Sequence, residues 1–306
     1  MKKKSFVIFL ISLIILGGIA YYGYTILNAF QATVDNSISG TDLASGNKIE
    51  QKVPGEIMFL MAGIDENSDE EAKGSMARTD TLMLIKANYN TGEVNIISVP
   101  RDTRVKINGQ THKMNSAHAY GGMPLTIKTI RTMLGIDLDY YMAVDFDAVK
   151  GIIDAIGGVE VNSPHRIQIP EINIDIPEGK TKLNGEEALE FVRHRNGFSN
   201  GDLGRVENQQ NFLRDLSRQL LSPKNIFKLP KIAKVYEENV VTNIPGDTMK
   251  EFLMHAYKFS PDKIKTQTLP GRPTTWKESP ISYYVLNKQA TLELVDEVFS
   301  RYKIAE

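Results

Sequence analysis

The hydrophobic pattern divides the chain at its start. Lys2, Lys3 and Lys4 precede an uncharged stretch, residues 5–27, dense in Ile, Leu, Phe and Val. About 20 apolar residues at 1.5 Å rise per residue span a bilayer, so this stretch predicts a transmembrane helix. The lysines favour the inner side, and Tyr21, Tyr22 and Tyr24 suit the outer interface. A cleaved signal peptide has a shorter apolar core and a small-residue cleavage site. Tyr-Tyr-Gly-Tyr offers a poor one, so the expectation is an uncleaved anchor behind a short cytoplasmic tail (residues 1–4). Residues 28–54 are polar and aperiodic and read as a stalk outside the membrane.

From residue 55 to residue 306 apolar runs alternate with helical periodicity. Residues 56–64 (EIMFLMAGI) read as a buried strand ending at glycine. Residues 81–87 and 94–99 are two further strands, and Asn90-Thr91-Gly92 between them predicts a hairpin. Helical spacing runs over residues 122–135 and 146–156, each closed by glycine, with strands at 140–144 and 159–161. Residues 186–195, 202–221, 229–239, 248–259 and 287–302 read as helices, and 263–269 as a strand. Such mixing predicts an α/β domain, layered α/β/α around a mixed central sheet.

Composition narrows the chemistry. The 306 residues are 42% hydrophobic and 24% charged with a formal net charge of −1, so the body is neither disordered nor basic enough for nucleic acid. There is no cysteine, which excludes disulfides, thiolate metal sites and a Cys nucleophile. The five histidines show no metal-ligand spacing.

Two clusters carry candidate chemistry. In the first, Gly63-Ile64-Asp65 ends one strand, Arg78-Thr79-Asp80-Thr81 opens the next, and Pro100-Arg101-Asp102-Thr103-Arg104 follows the third. Antiparallel neighbours bring the end of one strand beside the start of the next, so Asp65, Asp80 and Arg101 are expected at one sheet edge. Two carboxylates with arginines suit a Mg²⁺-bound phosphate, since magnesium takes hard oxygen ligands and guanidinium matches phosphate geometry. Asp–Arg pairs capping strand ends are the plainer account of the same residues. The second cluster is Arg193-His194-Arg195 followed by Asp202, Arg205, Gln209 and Gln210. Arg193 and Arg195 lie about 200° apart on a helix, so either the helix ends there or only one points inward. Arg205 and Gln209 share a face, and Asp202 suits a helix N-terminus. Gly121-Gly122, after His118-Ala119-Tyr120, opens a helix whose backbone N–H groups suit an anion.

Three pattern matches are rejected. Gly197-Phe198-Ser199-Asn200-Gly201 follows a helical segment, not the strand a nucleophile elbow needs. Ser260-Pro261-Asp262-Lys263 has no K-T-G partner, and Gly179-Lys180-Thr181 lacks the earlier Walker glycine.

Taken together, Gly-Ile-Asp, Arg-Thr-Asp-Thr, Val-Pro-Arg-Asp-Thr, His-Ala-Tyr-Gly-Gly, Ile-Gly-Gly-Val-Glu-Val, Leu-Asn-Gly-Glu-Glu-Ala-Leu and Arg-His-Arg…Asp-Leu-Gly-Arg…Gln-Gln resemble the LytR-CpsA-Psr family in order and spacing over about residues 56–221. The resemblance is greatest to its wall teichoic acid transferases. It implies a Mg²⁺-assisted phosphotransferase on the outer face of a Gram-positive membrane. Such an enzyme moves an anionic glycopolymer from undecaprenyl pyrophosphate to the C6 hydroxyl of N-acetylmuramic acid in peptidoglycan. The polyprenyl chain would lie in a hydrophobic pocket, for which the apolar helices 122–136 and 146–156 are candidates. By the same resemblance Asp65 and Asp80 match the metal-side acids, and Arg78 and Arg101 the pyrophosphate-binding arginines. Arg193, Arg195 and Arg205, with Asp202, Gln209 and Gln210, match a later anion-binding set. Asn208 stands where the family often carries a basic residue. Asp102 and Asp202 are the candidate general bases. Two other readings use the same residues: a lipid-pyrophosphate hydrolase, and a non-enzymatic wall sensor that binds polyprenyl phosphates.

Overall fold

The computed structural model describes residues 53–64, 79–194, 202–220, 228–255, 258–259, 261–275 and 281–304. The expected anchor (5–27) and nearly all of the stalk (28–54) lie outside them. Among the described residues no helix is long and apolar enough to cross a membrane.

The core is a six-stranded mixed sheet. Its strands are β1 (Glu56–Ile64), β2 (Thr79–Asn88), β3 (Val94–Ser98), β6 (Tyr140–Val144), β11 (Val240–Thr242) and β12 (Ile264–Thr268), ordered β11-β6-β1-β2-β3-β12. Small hairpins surround it: β4 (Arg104–Ile107) with β5 (Gln110–Lys113), β8 (Ile167–Ile169) with β9 (Ile174–Ile176), and β13 (Gly271–Pro273) with β14 (Tyr284–Leu286). β7 (Val159–Ser163) pairs with β10 (Gly179–Leu183). The helices are α1 (Ser116–Leu134), α2 (Phe146–Ala155), α3 (Gly185–Arg193), α4 (Asp202–Leu220), α5 (Leu229–Asn239), α6 (Gly246–Met254) and α7 (Lys288–Phe299).

Strand alternation builds the two layers. On β1, Met58, Leu60 and Ala62 face one core with Leu82, Leu84 and Ile97, closed by Ile130 and Leu134 of α1 and Val295 and Phe299 of α7. Ile57 and Phe59 face the other, with Met83, Ile85 and Ile96, closed by Tyr236 of α5 and Met249 of α6. A third cluster joins Ile153 of α2, Phe191 of α3 and Phe212 of α4 to the β7–β10 region.

Directionality sets where the loops gather. β1 and β6 are parallel, as are β3 and β12, while β2 runs against both β1 and β3. The carboxyl ends of β1, β3, β6 and β12 therefore share one edge with the amino end of β2. Ligands in such sheets bind outside the carboxyl ends of the strands.

The strands and hairpin read from residues 56–99 are present, and β12 matches the strand read at 263–269. Several elements differ in extent. The helix read from residue 122 begins at Ser116 and is kinked at Gly121 and Gly122, where Gly122 has φ +61°, a conformation that favours glycine. Pro124 lies just past that break, in the first turn of the second segment, where a missing N–H costs nothing. The helix read over 186–195 stops at Arg193, because His194 turns to an extended ψ of 133°.

Gly185 illustrates how tightly α3 meets α2. Its N–H donates to Asp154 Oδ1 at 2.8 Å, and a Cβ there would lie 2.5 Å from the Lys150 carbonyl oxygen. Gly185→Ala is expected to destabilise the protein by about 1–3 kcal/mol through overpacking. Thermal unfolding checks this, each 1 kcal/mol lowering the midpoint by roughly 2–4 °C in a domain of this size.

Candidate functional site

The first cluster is assembled by strand register. Gly63 pairs with Thr81 and, across a bulge, Ile64 pairs with Thr79. In the sequence Asp65 follows Ile64 and Asp80 follows Thr79, the last paired residues of the two strands. Asp65 and Arg78 lie outside the described residues, and of Asp80 only the backbone, within β2, is described.

Arg101 and Asp102 sit in a turn fixed from three directions. Thr103, fully buried, closes it by donating from N–H and hydroxyl to the Pro100 carbonyl at 2.9 and 2.6 Å. The Arg101 carbonyl accepts from Asn115 N–H at 3.0 Å, at the start of α1. The Asp102 carbonyl accepts from Tyr284 N–H at 2.8 Å, in β14. The Asp102 carboxylate pairs with Lys113 of β5 at 3.0 Å. Thr103, Asn115 and Tyr284 were not among the expected site residues. The Val-Pro-Arg-Asp-Thr run hinted at the first; nothing local in the sequence points to the other two.

The second cluster comes from α3 and α4. Arg193 ends α3, pairs with Glu190 at 3.3 Å, and holds its guanidinium carbon 4.5 Å from the centroid of the Phe146 ring. Stacking and pairing hold the fork in one orientation. Arg195 lies outside the described residues. Asp202 and Arg205 lie in the first turn of α4, and their side chains are not described.

Three successive amides anchor α4. Asn208 donates to the Phe191 carbonyl at 3.1 Å and Gln209 to the Val192 carbonyl at 3.0 Å, both in α3. The Gln210 amide nitrogen donates to Ser98 Oγ and to the Gln267 carbonyl, each at 2.8 Å. With their amide donors directed into the fold, Gln209 and Gln210 brace α4 against α3, β3 and β12. Asn208 is held by the same bracing.

Beneath this edge lies an apolar cavity of about 860 Å³ between the sheet and α2, α3, α4 and α5. Met61, Met83 and Met142 floor it, Phe146 and Val149 of α2 wall one side, and Phe212 and Leu216 of α4 the other. Gly63, Thr81, Asp145, Glu190, Arg193 and Gln209 also line it, so the cavity borders the charged edge. Burial pushes the Tyr236 phenol on its wall well above its ordinary range, so that group is neutral at physiological pH. Of the two helices expected to form such a pocket, α2 does so. α1 does not: Met123, Ile130 and Leu134 pack into the core on the opposite face of the sheet.

The LytR_cpsA_psr family model matches residues 23–299. "Polyisoprenyl-teichoic acid--peptidoglycan teichoic acid transferase TagV" of Bacillus subtilis (strain 168) is 33% identical over 282 residues, covering 88% of this chain and 71% of that protein. The crystal structure of B. subtilis TagV superposes with a TM-score of 0.71 at 29% identity, covering 82% of this chain and 98% of that one. The structure of TagT bound to LIIa-WTA gives 0.67 at 25% identity, covering 86% and 99%.

Asp145 tests the electrostatics of the cavity mouth. It caps α2 by accepting from Ala148 N–H at 2.6 Å, yet burial holds its carboxyl above the ordinary carboxylate range. A raised folded-state value means that its contribution to stability is present below the unfolded value and lost as pH rises through the folded one. Asp145→Asn keeps the cap and removes the charge. It should match the wild type near pH 3 and be the more stable near pH 7, whereas Asp145→Ala should lose about 1 kcal/mol of capping. Denaturant unfolding at both pH values measures this.

Proposed function

This chain belongs to the LytR_cpsA_psr family, and on that premise we propose that it transfers an anionic glycopolymer from a polyprenyl pyrophosphate carrier to peptidoglycan. The observation that carries the reading is the apolar cavity opening beside the arginine- and aspartate-bearing edge of the sheet. Such a shape suits an amphiphile with a long hydrocarbon tail and a doubly phosphorylated head. Its relative TagV, a polyisoprenyl-teichoic acid–peptidoglycan teichoic acid transferase, supports the same donor and acceptor.

In this account the polyprenyl chain fills the cavity between α2 and α4. The pyrophosphate lies at the rim, where Arg78, Arg101, Arg193, Arg195 and Arg205 clamp its oxygens. The C6 hydroxyl of an N-acetylmuramic acid residue attacks the glycan-bearing phosphorus. The new P–O bond forms as the bridging P–O bond breaks, and the polyprenyl monophosphate leaves with the electron pair. The hydroxyl proton passes to a carboxylate, Asp102 or Asp202. Asp102 already engages Lys113 at 3.0 Å, which fixes the position of its carboxylate. Charge develops mainly on phosphoryl oxygens, so fixed cations supply most of the rate.

Mg²⁺ fits this edge. Asp65 and Asp80, which follow the paired Ile64 and Thr79 in the sequence, would supply two hard carboxylate donors, and magnesium is commonly held by one or two carboxylates plus substrate phosphates. When bound there it would neutralise charge on the phosphoryl oxygens. Residues 5–27 would anchor the chain in the cell membrane, with a tail at 1–4, a stalk at 28–54 and the catalytic body from 55 to 306 on the outer face.

Asp80→Ala and Arg101→Ala should each lower transfer by on the order of 10²–10³, with unfolding midpoints near wild type. Near-normal transfer by both purified variants would refute the assignment, and hydrolysed lipid as sole product would favour the pyrophosphatase instead. Val149→Trp, which fills the cavity, should weaken binding of a long polyprenyl pyrophosphate at least about tenfold while sparing geranyl pyrophosphate, as equilibrium titration would show.

A further inference from the structure

A second, polar cleft of about 1120 Å³ lies along the other side of α4, between it, β12 and the β13–β14 hairpin. The two volumes are separated by a single helix. Gln209, Phe212, Leu213 and Leu216 face the apolar cavity, and Glu207, Gln210, Asn211 and Arg214 face the polar cleft. Both sets follow the i, i+3, i+4, i+7 spacing of one helical face. Their starting residues are two apart, about 200° around the axis, so the two volumes lie on opposite sides of α4.

The cleft is joined to the charged edge by backbone. Its lining includes Thr268 and Leu269, and Leu269 N–H donates to the Ser98 carbonyl at 3.0 Å, just before Pro100-Arg101-Asp102. Its far wall includes Tyr284, whose N–H holds the Asp102 carbonyl and whose hydroxyl donates to the Leu269 carbonyl at 2.9 Å. Arg214 is set by donating to Asn211 Oδ1 at 3.1 Å and Thr266 Oγ1 at 2.7 Å.

We propose that this cleft binds the acceptor, a glycan strand of N-acetylated sugars bearing carboxylate substituents; the proposal rests on the transfer reading given above. Geometry selects the acceptor over the polymer being moved. Displacement at phosphorus places the attacking and leaving oxygens roughly in line. The leaving phosphate is attached to the chain in the apolar cavity, so the nucleophile must come from the side away from it. The polar cleft lies across α4 from that cavity and is tied to the edge through Leu269 and Tyr284. The transferred glycan is a lateral substituent on the same phosphorus and departs sideways, out of both volumes.

The lining chemistry agrees. Glu207 and Asn211 are exposed and offer planar acceptors and donors matched to sugar hydroxyls and acetamido groups. Leu269, Pro270 and Val285 supply apolar surface for sugar faces. Arg214 and Arg272 outnumber Glu207 and provide for carboxylates of lactyl or peptide substituents. The volume exceeds the range of about 300–1,000 Å³ usual for single small ligands, as an extended chain requires.

The test uses the full-length protein in detergent and two probes. One is an uncross-linked N-acetylglucosamine–N-acetylmuramic acid tetrasaccharide carrying stem peptides, the other geranylgeranyl pyrophosphate. Arg272→Ala and Asn211→Ala should each weaken tetrasaccharide binding about tenfold, while the dissociation constant for geranylgeranyl pyrophosphate stays within about twofold. Undetectable tetrasaccharide binding by the wild type, or unchanged binding in both variants, overturns the proposal. So does an equal loss of pyrophosphate binding, which would give the cleft to the donor. Wild-type protein that binds the tetrasaccharide through these residues but yields only hydrolysed lipid would sustain the cleft and defeat the transfer reading.

Discussion

The arrangement depends on how α4 is held. Asn208, Gln209 and Gln210 are 4%, 9% and 6% exposed, so one turn of this helix is buried around more than half its circumference. Burying three amides is costly unless each is satisfied, and each donates to an acceptor in a different place: two along the end of α3, one at the junction of β3 and β12. These bonds fix α4 in height and rotation at once. A helix held by apolar contacts alone could rotate toward the sheet and fill the space beside Phe212 and Leu216. Held as it is, it leaves an apolar cavity on one face and a polar cleft on the other.

The sheet supplies the other half of the geometry. Because β2 opposes both β1 and β3, and β6 and β12 run parallel to those two, five strands deliver their chemically active ends to one edge. The turn after β3 is the most constrained of these, being tied to α1 through Asn115 and to β14 through Tyr284. Arg101 therefore sits on a rigid support rather than on a free loop. Arg193 gains comparable rigidity from Glu190 and the Phe146 ring. Fixed cations beside an apolar cavity suit phosphoryl transfer, where positioning contributes more than covalent chemistry.

Much of this was legible in the residues. The apolar runs at residues 56–64, 81–87 and 94–99 name three central strands and, through the hairpin at Asn90-Thr91-Gly92, the pairing of the last two. The 200° separation of Arg193 and Arg195 raised the helix end that the structure places at Arg193. What the sequence does not show is which face of the sheet a helix covers. α1 and α2 are both apolar at helical spacing, yet α1 is ordinary core and α2 walls the cavity. A cavity is an absence of side chains, and no residue signals it. The short strands of the β4–β5, β8–β9 and β13–β14 hairpins, three or four residues each, carry too little alternation to be read. The region beyond residue 221 lies outside the family-like motifs, yet it contributes β12 to the central sheet and most of the polar cleft.

The most direct test of the central claim is to locate the lipid. Full-length protein would be photolysed with a polyprenyl pyrophosphate carrying a diazirine near the end of its hydrocarbon chain, and the labelled peptides identified by mass spectrometry. The account predicts label on α2 and α4, at residues such as Val149, Phe212 and Leu216, and its loss when unlabelled polyprenyl pyrophosphate competes. Label confined to α1 and α7, or to the polar cleft along Asn211 and Arg272, would contradict it.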